Sequence, residues 1–206
     1  MVCDKYRYLH EEHFIIHRDV KPGNILFERG SRDQIKLCDF GLSAKLIGAF
    51  GYETTCCGTP NYIAPEVVLA MSSDSRYSFS VDVWSMGVVA YFLMVKKPPF
   101  ETSDVKLTYK RISQVVYYFP DRVNLSCKFK EFVEKILKKE DKERPSLDEL
   151  LNGSFLNCYN RINDYVFDPV ITDFCVSKNN VSYKLSNGTF SSFWKSGKVF
   201  TTLNHE

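Results

Sequence analysis

The chain has 206 residues, 27 Lys and Arg against 25 Asp and Glu, and a 44% share of hydrophobic residues; that length and composition suit one globular core plus a small appendage. A net charge of +2 without a long basic run excludes a phosphate-tracking surface, so no nucleic-acid partner is expected. The longest apolar stretch, Met86 to Val95, falls far short of the ~20 residues that cross a bilayer, so no membrane partner is expected either. Seven cysteines, an odd number without C-x-x-C spacing, argue against a disulfide framework and a structural zinc site. They fit a reducing compartment, cytoplasm or nucleus. With no secretory signal read at the N-terminus, N-x-S/T matches such as Asn187-Gly188-Thr189 read as chance.

In chain order, Tyr8, Leu9 and Phe14 read as the end of an amphipathic helix, followed by a short buried strand at Ile15 and Ile16; Met1 then falls inside an element. The polar loop after it brings Asp19, Lys21 and Asn24 close enough to converge on one place. Two β-like runs, residues 24–28 and 34–40, are expected to pair as a short ribbon. Gly41 to Pro60 is polar and Gly-rich with few apolar anchors, which predicts a mobile stretch. From Ser80 the pattern turns helical, and Asp82 to Val95 is apolar on nearly every face, as expected of a helix surrounded by protein. Pro98-Pro99-Phe100 is the expected stop.

Phe129, Phe132, Val133, Ile136 and Leu137 recur at helical spacing and predict an amphipathic helix with a Lys/Glu face. Ser146 with Glu149 predicts a capping box, and Gly153 the end of that helix. After about residue 160 short β-prone runs separated by Asn187-Gly188 and Ser196-Gly197 predict a three-stranded antiparallel meander, part of a larger sheet.

His17-Arg18-Asp19 with Lys21 and Asn24, then Asp39-Phe40-Gly41, then Ala64-Pro65-Glu66, stand in the order H-R-D-x-x-x-x-N, D-F-G and A-P-E. A lone His-Arg-Asp triplet is most often a surface turn; three motifs in order, followed by a helix that opens Asp82-Val83-Trp84, are specific. On these residues the chain resembles the C-terminal lobe of a protein kinase over residues 1–157, an α+β, mostly helical lobe. The resemblance implies ATP as phosphoryl donor, Mg2+ as cofactor and protein Ser/Thr hydroxyls as acceptors. Phosphoryl transfer asks a protein mainly for alignment and charge neutralisation.

Asp19 would take the acceptor hydroxyl's proton, Lys21 would sit against the γ-phosphate, Asn24 and Asp39 would supply oxygen ligands to the metal, and Leu26 would floor the adenine. Read alone, Asp39 is an Asx turn ahead of Gly41. The resemblance further makes His17 and Phe40 packing residues of an internal spine, Asp82 the anchor of the catalytic loop, and Glu66 with Arg144 a buried ion pair. Asp82 also reads as an acid favoured by a helix N-terminus. Arg18 would pair with a phosphate on the activation segment, where position favours Thr55 as its acceptor, and Thr59 would bridge Asp19 and Lys21. Thr54 and Thr55 equally read as solvated loop residues.

Within kinases, residues 57–67 (CGTPNYIAPEV), 97–112 and the run Arg144 to Phe155 resemble the Polo-like kinases. Residues 171–206 are similar to the start of a polo box, a β-sheet module that binds phosphorylated partners, with residues 158–170 as a short linker. Pro22 and the shortness of that linker depart from the Polo pattern. The resemblance implies a cell-cycle role and a spindle-pole or centrosomal location. No G-x-G-x-x-G loop and no V-A-I-K lysine occur in the 206 residues, so the expectation is a sequence that lacks the N-terminal lobe and has weak nucleotide affinity alone. Two readings follow: a Ser/Thr kinase, or a non-catalytic remnant acting as an interaction module.

Overall fold

The computed structural model describes residues 2–29 and 34–156, and the backbone of 173–177, 180–185, 188–195 and 198–204. It divides into two units, Met1–Leu156 and Asn157–Glu206.

The first unit is built around α3 (Ser80–Val95), in which 11 of 16 residues are buried, from Val81 to Val95. A helix that is apolar all round is stable only inside protein, and α5 (Cys127–Ile136) covers one side of it with Phe129, Val133 and Ile136. The two helices approach closely because Gly87 has no side chain: a Cβ there would lie 2.5 Å from Ile136 Cγ2. The helix α3 stops at Val95, ahead of the proline pair, because Lys96 turns left-handed at φ 64° and its N–H returns to the Phe92 carbonyl. The stop is thus a C-cap rather than Pro98, which only follows it.

At the start of the unit, α1 (Val2–Arg7) runs into one π-helical turn, Tyr8–Glu12, that carries the buried His10. Strand β1 (Ile15–Ile16) follows and pairs with β4 (Ala44–Lys45). The expected ribbon is β2 (Ile25–Phe27) against β3 (Ile35–Leu37), in the register Leu26↔Lys36. The remaining helices are α2 (Pro65–Leu69), α4 (Val105–Gln114) and α6 (Leu147–Asn152). Ser146 and Glu149 form both halves of a capping box on α6. Gly153 does follow α6, with an ordinary φ of −64° rather than a left-handed one.

The stretch Gly41 to Pro60, expected to have few anchors, is fixed along its length, by the β1–β4 pair, the buried Leu46, a backbone bridge between Glu53 and Tyr77, and Thr59 near its end. Between these anchors it leaves Ile47 and Phe50 almost wholly exposed.

The second unit is an antiparallel sheet of four strands in sequence order, β5 (Asp173–Ser177), β6 (Asn180–Leu185), β7 (Gly188–Lys195) and β8 (Lys198–Asn204). Three strands were expected. The additional one, β5, gives a weak propensity reading because only Phe174 and Val176 favour a strand, set among Asp, Cys and Ser. Gly188 lies in β7, paired with Leu185, instead of in a turn. The expected linker 158–170 and the turn residues Asn187, Ser196 and Gly197 lie outside the described residues. Among the described residues no helix is long and apolar enough to cross a membrane.

Candidate active site

The loop after β1 is suspended from the N-terminal turn of α3. The Asp82 carboxylate, fully buried, accepts the backbone N–H groups of His17 (2.8 Å) and Arg18 (2.9 Å) and a third hydrogen bond from His10 Nε2 (2.8 Å). A buried carboxylate is tolerable only when bonded in this way, and the first turn of a helix adds a favourable dipole. Both sequence readings of Asp82, anchor and N-terminal acid, describe the same side chain. So held, Arg18 adopts φ 68°, a conformation a non-glycine residue keeps only when its surroundings enforce it. The side chain of Asp19 is thereby turned away from Asp82 and toward Thr59.

Around Asp19 four donors converge. Thr59 gives its backbone N–H (3.0 Å) and Oγ1 (2.6 Å) to Oδ1; Lys21 Nζ (2.6 Å) and Asn24 Nδ2 (3.1 Å) go to Oδ2. Lys21 Nζ also donates to Thr59 Oγ1 at 2.9 Å, so Thr59 sits between the acid and the amine. Burial alone would raise the Asp19 carboxyl, but the bonds from Lys21 and Thr59 outweigh it and hold it below the usual carboxylate range. Thr59 reaches Asp19 because Gly58 lies flat against the loop at φ 113°: a Cβ there would meet the Arg18 carbonyl oxygen at 2.7 Å and Ile63 Cγ2 at 2.9 Å.

On the other side of the loop Asn24 is buried and its amide nitrogen also donates to the Asp19 carbonyl at 2.9 Å. That bond fixes the side chain and leaves its Oδ1 as the acceptor face. Asp39 is exposed, at φ 61°, with Oδ1 receiving only a long contact from the Gly41 N–H at 3.4 Å. The Asx-type contact read from the sequence therefore exists and leaves the second oxygen open. A neutral amide oxygen and a carboxylate suit Mg2+, which takes hard oxygen ligands, few from protein, and completes its shell with phosphate oxygens and water. No group of three or more metal-binding His, Cys, Asp or Glu is found among the described residues. Phe40 packs on the buried His17, centroids 5.0 Å apart, and His17 Nε2 lies 3.2 Å from the Cys38 carbonyl oxygen. Leu26 is half-exposed at 49%, beside Phe27 at 73%.

Two further links tie the segment to the core. Arg144 meets Glu66 through both carboxylate oxygens (2.6 and 2.7 Å) and gives its other N–H groups to the carbonyls of Lys138, Lys139 and Ser80. Every donor of the guanidinium is thus matched, which is what a buried arginine requires. Arg18 Nη1 donates to Glu53 Oε2 (3.1 Å) and to Tyr77 Oη (3.3 Å), and Tyr77 Oη donates in turn to the Thr55 carbonyl. Burial pushes the Tyr77 phenol up to about 12, so it stays a neutral donor. Thr54 and Thr55 are exposed.

All of the residues singled out in the sequence around Asp19 come together; Asp39 and Leu26 stand on the open side. His10, Glu53 and Tyr77 were not singled out. His10 could have been suspected as a polar residue inside an amphipathic helix, whereas Glu53 and Tyr77 carry no local signal.

The comparisons agree with this geometry. The protein kinase domain family matches residues 1–156. The chain is 48% identical over 166 residues, 81% of its length, to a probable serine/threonine-protein kinase CCRP1 of Zea mays, and 44% identical over 160 residues, 78% of its length, to a probable serine/threonine-protein kinase PLK of Dictyostelium discoideum. It is 43% identical over 151 residues, 73% of its length, to the cell cycle serine/threonine-protein kinase CDC5/MSD2 of Saccharomyces cerevisiae. These stretches span 25%, 15% and 21% of the three relatives, so the chain covers a quarter of their length or less. The chain belongs to the protein kinase family, as a Polo-like member of it.

Proposed function

We propose that residues 1–156 form the acceptor-side half of an ATP- and Mg2+-dependent protein serine/threonine kinase of the Polo-like type. The observation that carries the reading is the Asp19 carboxylate, kept ionised by Lys21 and Thr59 and aimed out of the loop between them. A carboxylate so placed accepts a hydrogen bond from a serine or threonine hydroxyl and takes its proton as the phosphoryl group arrives.

Lys21, on a flexible stem between Asp19 and Thr59, is within reach to turn its ammonium toward the transferred phosphate and so free one Asp19 oxygen for the hydroxyl. Asn24 and Asp39 would hold the metal, which neutralises charge on the phosphates when bound. The exposed Leu26 and Phe27 would meet the adenine side of the nucleotide. Thr59 and the backbone around it would dock the acceptor peptide, and Thr55 would take the activating phosphate that Arg18 pairs. By the relatives' cell-cycle role, the acceptors are cell-cycle proteins, with a spindle-pole or centrosomal location, and the four-stranded unit is the beginning of a polo box that docks phosphorylated partners.

The test is a chimera in which the matching residues of the yeast relative are replaced by this chain's. Given ATP, magnesium and a protein acceptor, it should transfer phosphate, and Asp19→Asn should lower kcat by roughly a thousandfold in a chimera that circular dichroism shows to be still folded. Equal labelling by the chimera and its Asp19→Asn form would instead leave the chain as a non-catalytic interaction module.

A further inference from the structure

We propose that Glu53 is a positioning residue: its carboxylate occupies the Arg18 guanidinium and so holds the activation segment onto the catalytic loop without a phosphate on Thr55. The proposed function gives this its consequence for activity; the contact itself stands on geometry. Arg18 is 12% exposed and Glu53 26% exposed, with Nη1 and Oε2 3.1 Å apart. An arginine so sheltered needs an anion, and Glu53 is the acidic side chain the described residues bring to it.

Nor does the carboxylate arrive there through a freely moving loop. Glu53 exchanges both backbone hydrogen bonds with Tyr77, at 2.8 and 2.9 Å, and Tyr77 stands immediately before the start of the buried α3 region. The phenol of the same Tyr77 bonds both Arg18 and the Thr55 carbonyl. The segment is therefore clasped from both sides of the position where a phosphate would be added.

From this clasp the effect runs a short way to the reacting acid. The Arg18 peptide lies between the Asp82 anchor and Asp19, and its carbonyl oxygen is the surface on which Gly58 rests. Gly58 in turn fixes Thr59 on Asp19. With Glu53 in place the Thr59–Asp19–Lys21 bonds are complete, and Thr55 itself is exposed. A phosphate on Thr55 would carry nearly two negative charges toward a guanidinium already paired, and would have to displace Glu53 to gain it. Phosphorylation then adds to an activity that Glu53 already supports, instead of switching it on from nothing.

A double-mutant cycle on the 206-residue chain tests this without any need for catalysis. Amide hydrogen exchange at Glu53 and Thr59 should speed up about tenfold in Glu53→Gln, as expected for loss of one charge-assisted bond. Arg18→Ala should do the same, and the double variant should be no faster than Arg18→Ala alone. In the chimera, Glu53→Gln should lower kcat with the acceptor KM unchanged, and phosphate on Thr55 should restore it. Unchanged exchange in Glu53→Gln, or effects of the two substitutions that simply add, would overturn the proposal even if the chimera is active. Coupled exchange in a chimera that labels nothing would uphold the clasp while the kinase reading falls.

Discussion

The two sides of the candidate site are built differently. On the acceptor side His17, Asp19 and Asp82 are all buried, and both oxygens of each carboxylate accept hydrogen bonds from within the chain. On the proposed nucleotide side Leu26 and Phe27 are 49% and 73% exposed, and Asp39 keeps one long contact among the described residues. The contrast teaches that the groups proposed to hold a hydroxyl and a proton in line are set in advance by the chain's own fold, the arrangement from which orientation draws most of its advantage. Of the groups proposed to meet the nucleotide and metal, Asn24 is fixed with the buried side, whereas Leu26, Phe27 and Asp39 are left open to be ordered by what binds.

The sharpest way to break that contrast is to unhook the buried side. In Asp82→Asn the amide can accept at one atom only, so one of the N–H groups of His17 and Arg18 faces another donor. We expect a loss of about 3 kcal/mol in urea unfolding, the scale on which a buried charged partner is missed. Gly58→Ala comes next: the new methyl meets the Arg18 carbonyl at 2.7 Å in a left-handed backbone, which should cost about 1–3 kcal/mol and separate Thr59 from Asp19. Its crystal structure or the Thr59 amide shift would show the separation, and an unmoved Thr59 would count against the proposed link from Gly58 to the acid.

A smaller effect follows from charge. Because Asp19 is held below its ordinary range in the folded chain, the unfolded chain binds the extra proton first; its stabilisation is full above the unfolded value of about 3.9 and is lost as pH falls through the folded one. Lys21→Met removes the first of the bonds that lower it, so the fall of Tm with acid below about pH 4 should become shallower. A Tm profile identical in slope to the parent chain's would show that Asp19 is not held by Lys21.

How much of this could be read from the residues alone depends on separation along the chain. Asp19, Lys21 and Asn24 lie within one loop, and their convergence follows from spacing. The apolar run of α3 likewise announces a buried helix, and Ser146 with Glu149 announces the cap of α6 locally. Contacts such as Thr59 with Asp19, 40 residues apart, or Arg144 with Glu66, 78 apart, came from resemblance to a family and from no pattern in the sequence. Tyr77 and Glu53 stayed invisible because a bridge between two loops has neither period nor motif. Lys96 ends α3 at φ 64°, a conformation a non-glycine residue rarely adopts and no motif announces, so the helix stops before the proline pair that reads as its end.

The least effect on stability should come from the open side. Asp39→Asn replaces a residue whose side-chain contact among the described residues is 3.4 Å long and whose φ of 61° asparagine also adopts readily. The unfolding free energy from urea titration should change by no more than about 0.5 kcal/mol, as for other exposed positions. Yet the substitution removes the one anionic oxygen offered to magnesium beside Asn24, and phosphate transfer by the chimera should fall by at least about a hundredfold. Stability and activity would then separate at Asp39 and fall together at Asp82. A midpoint that drops as far in Asp39→Asn as in Asp82→Asn would mean that the nucleotide side is as firmly built as the acceptor side, and the contrast between them would be lost.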